Sequence, residues 1–441
     1  MERAATVPSF GDLLRTFARI GCLSFGGPAG QIALMHREIV EERGWLSEDQ
    51  FLHALNFCHL LPGPEAQQLA TWIGWRWHGV RGGLAAGMLF VIPGALVILA
   101  LSIFYSFAAG LGWFAALFLG IKAAVLAIVG RALLRIARRS LNTPLKRGIA
   151  AAVFAALFLF NLRFPLVVLG AGALGFAVAA LRPEWLRLGA DGAAPADAPR
   201  PWGTTARAIA IGGAVWAAPL AAVLATLGPD HVLWQSGLFF ARMAVVSFGG
   251  AYAVLTYVAQ AAVGHYHWLA PGEMADGLGL AETTPGPLIL VTQFVGYLAA
   301  YRSPAPFTPL VAGVIGAGLT TWVTFAPSFL WIFAFAPWIE RLQHARRLKG
   351  ALSAVTAGIV GVIGNLAAWF ALHLLFTRTE ARWIGALPVD VPQWDSFDWR
   401  AALLATLAAV LIAQTRWNVI AVLSVTAIAG LALYQGILLV G

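Results

Sequence analysis

Ser24-Phe25-Gly26-Gly27-Pro28 places a hydroxyl, two conformationally free glycines and a proline inside an apolar run, and Pro62-Gly63-Pro64 repeats the device further on. Each stretch reads as one helix ending and another starting. Glycine lets the backbone turn out of helical geometry, and proline suits the first position of a helix, where its missing N–H costs nothing. Free N–H groups at such a helix start, with the macrodipole behind them, attract an anion. The chemistry within reach is recognition of negative charge by backbone.

Both devices occur twice. Phe17 to Gly27 returns as Phe240 to Gly250, so that Ser24, Phe25, Gly26 and Gly27 become Ser247, Phe248, Gly249 and Gly250. Trp45-Leu46 maps to Trp268-Leu269, and Pro62-Gly63-Pro64 to Pro285-Gly286-Pro287, all at one offset (247 − 24 = 223). The register then slips: Gly79 to Pro93 matches Gly313 to Pro327, and Gly120 matches Gly350. Two halves broken at corresponding places by glycine and proline are the plan of secondary transporters. Kinking and close helix packing are the other use of such residues. Four breaks duplicated in register favour one anion site on which four helix starts converge.

Ionisable residues inside the apolar runs come next. Arg19 and Arg242 are repeat partners just before each serine turn. An intramembrane arginine marks function, and a guanidinium can grip an oxyanion at two points; snorkelling to an interface is the alternative. Lys122 maps to Leu352 and breaks the symmetry, either as an anion or proton-linked group or as a partner for a helix C-terminus. Glu282 stands where the first half has His59. A buried carboxylate can exchange protons, so these two positions are the coupling candidates, against a satisfied polar group within the bundle. Arg37, Glu38, Glu41, Glu42 and Arg43 read as a solvated helix end, and Trp45, Trp72, Trp75, Trp77 and Trp268 as interfacial anchors. Cys22 and Cys58 lack metal or disulfide spacing and read as inert buried thiols. With no catalytic triad, metal cluster or phosphate-binding loop, neither an enzyme, a cofactor nor ATP-driven transport is expected.

The elements that position these residues are membrane helices. Sixty per cent of residues are hydrophobic and 11% charged, and Leu84 to Ala108 carries no charge; a span needs about 20 apolar residues. The net charge of +9 is spread over short loops, so it orients the chain in the bilayer and does not form a nucleic-acid patch. No cleaved signal peptide is expected. Full spans are expected near 82–108, 112–135, 148–163, 164–182, 206–228, 308–336, 349–376, 400–415 and 417–440. Pieces at 10–25, 28–43, 49–61 and 64–79, with second-half counterparts, are short for crossing; they read as paired half-helices, with tilted full crossing as the alternative. Basic loops alternate between the halves: Arg131 to Arg147 in the first, Arg341 to Lys349 in the second. Since basic loops stay in the cytoplasm, the fold class is an all-α polytopic membrane protein of two homologous halves in inverted topology, with broken, re-entrant half-helices. The domains are a first repeat (1–181), a cytoplasmic linker (182–206), a linking helix (207–228) and a second repeat (229–441), with the N-terminus inside and the C-terminus outside.

The run FARIGCLSFGGPAGQIALMHREIVEERGWLSEDQF from Phe17, followed by LPGPEAQQLATWIGW, resembles the signature of the chromate ion transporter family. The second-half SFGG and ETTPGPLILVTQFVGY resemble that family's C-terminal signatures, and the resemblance covers nearly the whole chain, as in the two-domain, long-chain branch. It implies export of chromate across a bacterial inner membrane, with sulfate as competitor, driven by the proton gradient or membrane potential. A homodimer is compatible with it. The residues onto which it carries anion binding are Ser24 to Pro28, Pro62 to Pro64 and Gln68, and Ser247 to Gly250 with Pro285 to Pro287. Pro28 has no partner, because Ala251 follows the second SFGG. The inverted arrangement predicts that tags inserted after Arg139 and after Arg347 report the cytoplasm and one near Asp390 the exterior; accessibility labelling that puts Arg139 and Asp390 on one side would mean parallel halves.

Overall fold

The computed structural model describes residues 7–25, 27–188, 201–248, 251–343, 345–384, 387–415 and 417–440. The first half holds α1 (Phe10–Leu23), α2 (Gly27–His36), α3 (Glu48–Cys58), α4 (Glu65–Ala108), α5 (Gly112–Ser140), α6 (Pro144–Phe158) and α7 (Phe164–Leu181). Helix α8 (Trp202–Leu227) follows. The second half holds α9 (Val232–Val246), α10 (Ala251–Ala259), α11 (Pro271–Thr283), α12 (Val291–Arg302), α13 (Pro309–Phe335), α14 (Ile339–Gln343), α15 (Arg346–Leu375), α16 (Trp399–Gln414) and α17 (Val419–Val440). Among these, α4, α5, α7, α8, α13 and α15 are long and apolar enough to cross a bilayer, and the chain is a multi-pass membrane protein. Large apolar side chains such as Leu96, Phe107 and Leu166 are exposed on them, as lipid-facing surface requires.

The repeat is written in the backbone as well as in the letters. Helix α2 runs into a π-helical turn at Arg37–Glu42, and α10 into one at Gln260–His265, the same offset of 223. Gly44 and His267, again equivalent, both have positive φ (61° and 53°). Ser47 caps α3 in a reciprocal box with Gln50. In the equivalent place the Glu273 carboxylate accepts from the Ala270 N–H at 2.8 Å, so the reach-back survives where the capping serine is lost. Helix α4 is two helices meeting at a break, His78 and Gly79, which matches the pieces expected at 64–79 and 82–108.

Elements of both halves interleave in two compact units: 1–102, 189–254 and 284–349 form one, and 103–188, 255–283 and 350–441 the other. In the first, α13 packs along α12 and against α8 and α9. Helix α8, which has no repeat partner, is held by hydrogen bonds more than by burial: Thr205 Oγ1 donates to Ala334 O at 2.9 Å and Trp216 Nε1 to Val323 O at 3.1 Å. In the second unit α5 packs on α11, α16 and α17. Small residues set the approach there, as membrane helices require: a Cβ on Gly120 would collide with the Thr426 backbone, and Gly175 meets Gly350.

Three expectations change. Residues 379–384 and 387–392 form an antiparallel hairpin in the loop before α16, where the sequence showed only a polar loop. Trp45, Trp72 and Trp268 are buried and so are not interfacial anchors. Cys58 is buried but Cys22 is exposed. The packing predicts that Gly120→Leu lowers the yield and melting temperature of detergent-purified protein, by the ~1–3 kcal/mol typical of overpacking. Gly130, with nothing within 4 Å of an added Cβ, should accept leucine without change in either measurement.

Candidate functional site

The four expected turns meet in the first compact unit through an exchange between the halves. Gly63, between α3 and α4, has φ 117°, and Gly286, its repeat partner, φ 94°; both conformations favour glycine. The Gly63 N–H donates to Ser247 O at 2.8 Å, and the Gly286 N–H donates to Ser24 O at 2.9 Å. Each half therefore closes the other's proline-glycine turn with the carbonyl at the end of its own first helix. Gln31, buried in α2, adds a bond from Nε2 to Gly286 O at 2.6 Å, and Gln68 Nε2 donates to Pro62 O at 2.6 Å. The long helices α4 and α13 back the turns in the same crossed way. A Cβ on Gly286 would lie 3.2 Å from Gly94 Cα, beside the in-helix proline Pro93, and one on Gly63 would lie 2.8 Å from Ser328 Oγ, beside Pro327.

Between the turns is a small pocket lined by Pro28, Gln31, Gly63, Pro64, Glu65, Ala66, Ser247, Val254, Pro287, Leu288 and Ile289. All four turns contribute to it. The pocket is small, with room for about one water. The first helical donor of α4 is Gln68, whose N–H meets Pro64 O at 3.0 Å. The N–H groups of Glu65, Ala66 and Gln67 precede it and have no intrahelical partner. The Glu65 carboxylate sits 3.5 Å from His59 Nδ1, which offsets its negative charge when that ring is protonated. Gln67 Oε1, Gln68 Oε1, Thr324 Oγ1 and Ser328 Oγ are buried without a hydrogen-bond partner among the described residues. That concentration of polar atoms is unusual in so apolar an interior.

Other expected residues are placed differently. Ser24 Oγ donates to Ile20 O at 2.7 Å and Ser247 Oγ to Ala244 O at 3.0 Å, so each hydroxyl proton serves its own helix end and is unavailable to an acceptor-only anion. Arg19 lies 3.6 Å from Glu38, which is fully buried and also pairs with Arg43 at 2.9 Å. Glu38 is thus no part of a solvated helix end: the π turn carries it inward against two arginines. Arg242 is exposed on α9, while Phe25 and Phe248 are half-buried. Lys122 and Glu282 belong to the second unit, where Lys122 pairs with Asp276 and Glu282 is buried in α11. Gly26, Gly249 and Gly250 lie outside the described residues. Gln31, Glu65, Ser328 and Asp276 were not singled out by sequence; Gln31 and Glu65 stand in the quoted motifs, and Asp276 aligns with a histidine, His53, by the offset of 223.

The crossed turns predict a contrast. Gly63→Ala and Gly286→Ala force a positive φ on a residue with a Cβ, at ~1–3 kcal/mol each; both should lower the melting temperature and abolish transport. Ser24→Ala keeps the carbonyl that binds Gly286 and loses only a helix-end bond worth about 1 kcal/mol, so it should retain most transport at matched expression.

The chromate transporter family matches residues 11–176 and 234–431. The chain is 34% identical to the chromate transport protein of Pseudomonas aeruginosa, over 81% of this chain and 80% of that one. It is 30% identical to the chromate transport protein of Cupriavidus metallidurans, over 80% of each. A probable chromate transport protein of Synechococcus elongatus is 28% identical over 81% of this chain and 83% of its own. No solved structure matches the chain.

Proposed function

Since the chain belongs to the chromate transporter family, we propose that it exports chromate across a bacterial inner membrane as a secondary carrier, powered by the proton gradient or membrane potential, with sulfate as a competitor. The observation that carries this reading is the pocket where the four crossed turns converge. Its donors are backbone N–H groups at helix starts, which recognise charge and size. The anion's ligands in this reading are the N–H groups opening α4 and following Pro287, with the turns Gly27-Pro28, Pro62-Gly63-Pro64 and Pro285-Gly286-Pro287 shaping the cavity and Gln68 beside it. The serines act through their carbonyls. Half-helix ends supply about half a charge each, so several of them must converge to compensate a dianion.

Inverted halves, with the basic loops cytoplasmic, belong to the same proposal; such an arrangement exposes one site to each side in turn. Labelled chromate offered to energised everted vesicles should accumulate, and excess sulfate should slow it. Uptake no greater than in vesicles lacking the protein would refute the carrier reading. Equilibration without accumulation under either gradient would indicate a channel.

A further inference from the structure

In the second compact unit a buried acid, a lysine and a tyrosine meet in an otherwise apolar setting. Asp276 lies in the middle of α11 and is only 6% exposed. Lys122 Nζ, on α5, is 3.2 Å from its Oδ1, and the Tyr105 hydroxyl, near the end of α4, donates to its Oδ2 at 2.8 Å. The tyrosine ring is fixed edge-on by Phe114 and Phe118. Around Asp276 the elements offer little other charge. Helix α5 presents Lys122, with Ile121 and Val125 against Gly279 of α11. Helix α11 itself adds Glu273 in its first turn, whose carboxylate is engaged by the Ala270 N–H, and the buried Glu282 in its last turn, six residues on from Asp276. Helix α17 carries no charged residue from Val419 to Gln435, its only titratable group being Tyr434.

An ion pair in such a place is not a device for stability, because desolvating both charges cancels most of their attraction. Nor does the repeated fold need it. The pair joins the first half to the second, and at the repeat-equivalent positions stand His53 (276 − 223), in the first half, and Leu352, in the second. A structural role required by the repeat would have kept an acid and a lysine at those two positions as well. Ionisable residues retained within the membrane on one side of a symmetric plan mark an ion or proton path.

We infer that Asp276 is the proton-exchange site of the carrier, a step that rests on the transport reading above. In one state the carboxylate is neutralised by Lys122 and held by Tyr105. In the other it has taken one proton from water, keeps the Tyr105 contact, and leaves the Lys122 ammonium without its counter-charge. No covalent bond beyond O–H forms or breaks. The contact between α5 and α11 thus has two electrostatic states, and a proton selects between them. The Lys122 side chain is 20% exposed, so the pair is not sealed inside the protein.

Two readouts test the inference on the full-length purified protein. Infrared difference spectra between acid and alkaline buffers should show a buried carboxylic acid band that Asp276→Asn removes. In proteoliposomes, an imposed gradient of one pH unit should change chromate accumulation about tenfold per coupled proton, and Asp276→Asn should lose that response. Tyr105→Phe keeps both charges and guards against a variant that fails to fold; it should shift the titration of the band and the pH profile of transport together. A wild-type band that Asp276→Asn leaves intact, a retained gradient response in that variant, or an unshifted Tyr105→Phe titration would each overturn the assignment. Wild-type vesicles that carry no chromate would sink the substrate reading instead, while the infrared band would still decide whether Asp276 binds the proton.

Discussion

An N–H group left open at membrane depth costs several kcal/mol, and a chain that breaks its helices there must find acceptors for what the breaks release. Here the acceptors come from the other half: Gly63 uses the Ser247 carbonyl and Gly286 the Ser24 carbonyl. Much else follows from this exchange. It fixes which turns face one another, demands glycine where φ is positive, and sets small residues after the helix prolines where the turns approach, Gly94 of α4 against Gly286 and Ser328 of α13 beside Gly63. It also leaves a cavity whose walls are helix starts.

The exchange is symmetric, but its surroundings are not. Pro28 faces Ala251 in the repeat, Glu65 faces Leu288, Gly94 faces Ser328, and Asp276 faces His53. Two copies of one architecture supply the frame, and single substitutions on it supply chemistry that one copy alone has. The buried pair of Lys122 and Asp276 and the contact of His59 with Glu65 both belong to this unmatched set.

Much of the fold was legible in the letters. Hydropathy located the long spans to within a few residues, and the repeat located the turns, because glycine and proline act locally and leave a local trace. The His78–Gly79 break fell where two pieces had been expected. What escaped depends on partners distant in sequence. Glu38 sits among Arg37, Glu41, Glu42 and Arg43, and composition alone made the group look solvated; only the π turn and the approach of Arg19 and Arg43 show that it is buried. The serines looked like anion ligands because a hydroxyl is a donor, yet a helix end four residues away had first claim on the proton. Asp276 is one acid in a short polar stretch until α4 and α5 bring Tyr105 and Lys122 to it.

The crossed turns also set a schedule for synthesis. The Gly63 N–H finds its acceptor on residue 247, which leaves the ribosome 184 residues later (247 − 63). At about 5–20 residues per second that is a wait of roughly ten to forty seconds. Through that interval the Gly63 turn lacks the acceptor it has in the finished fold, and the Ser24 carbonyl waits longer still, for Gly286. A nascent chain of this design is therefore held incomplete until its second half arrives, and its quality control must tolerate a long-lived, half-built membrane intermediate.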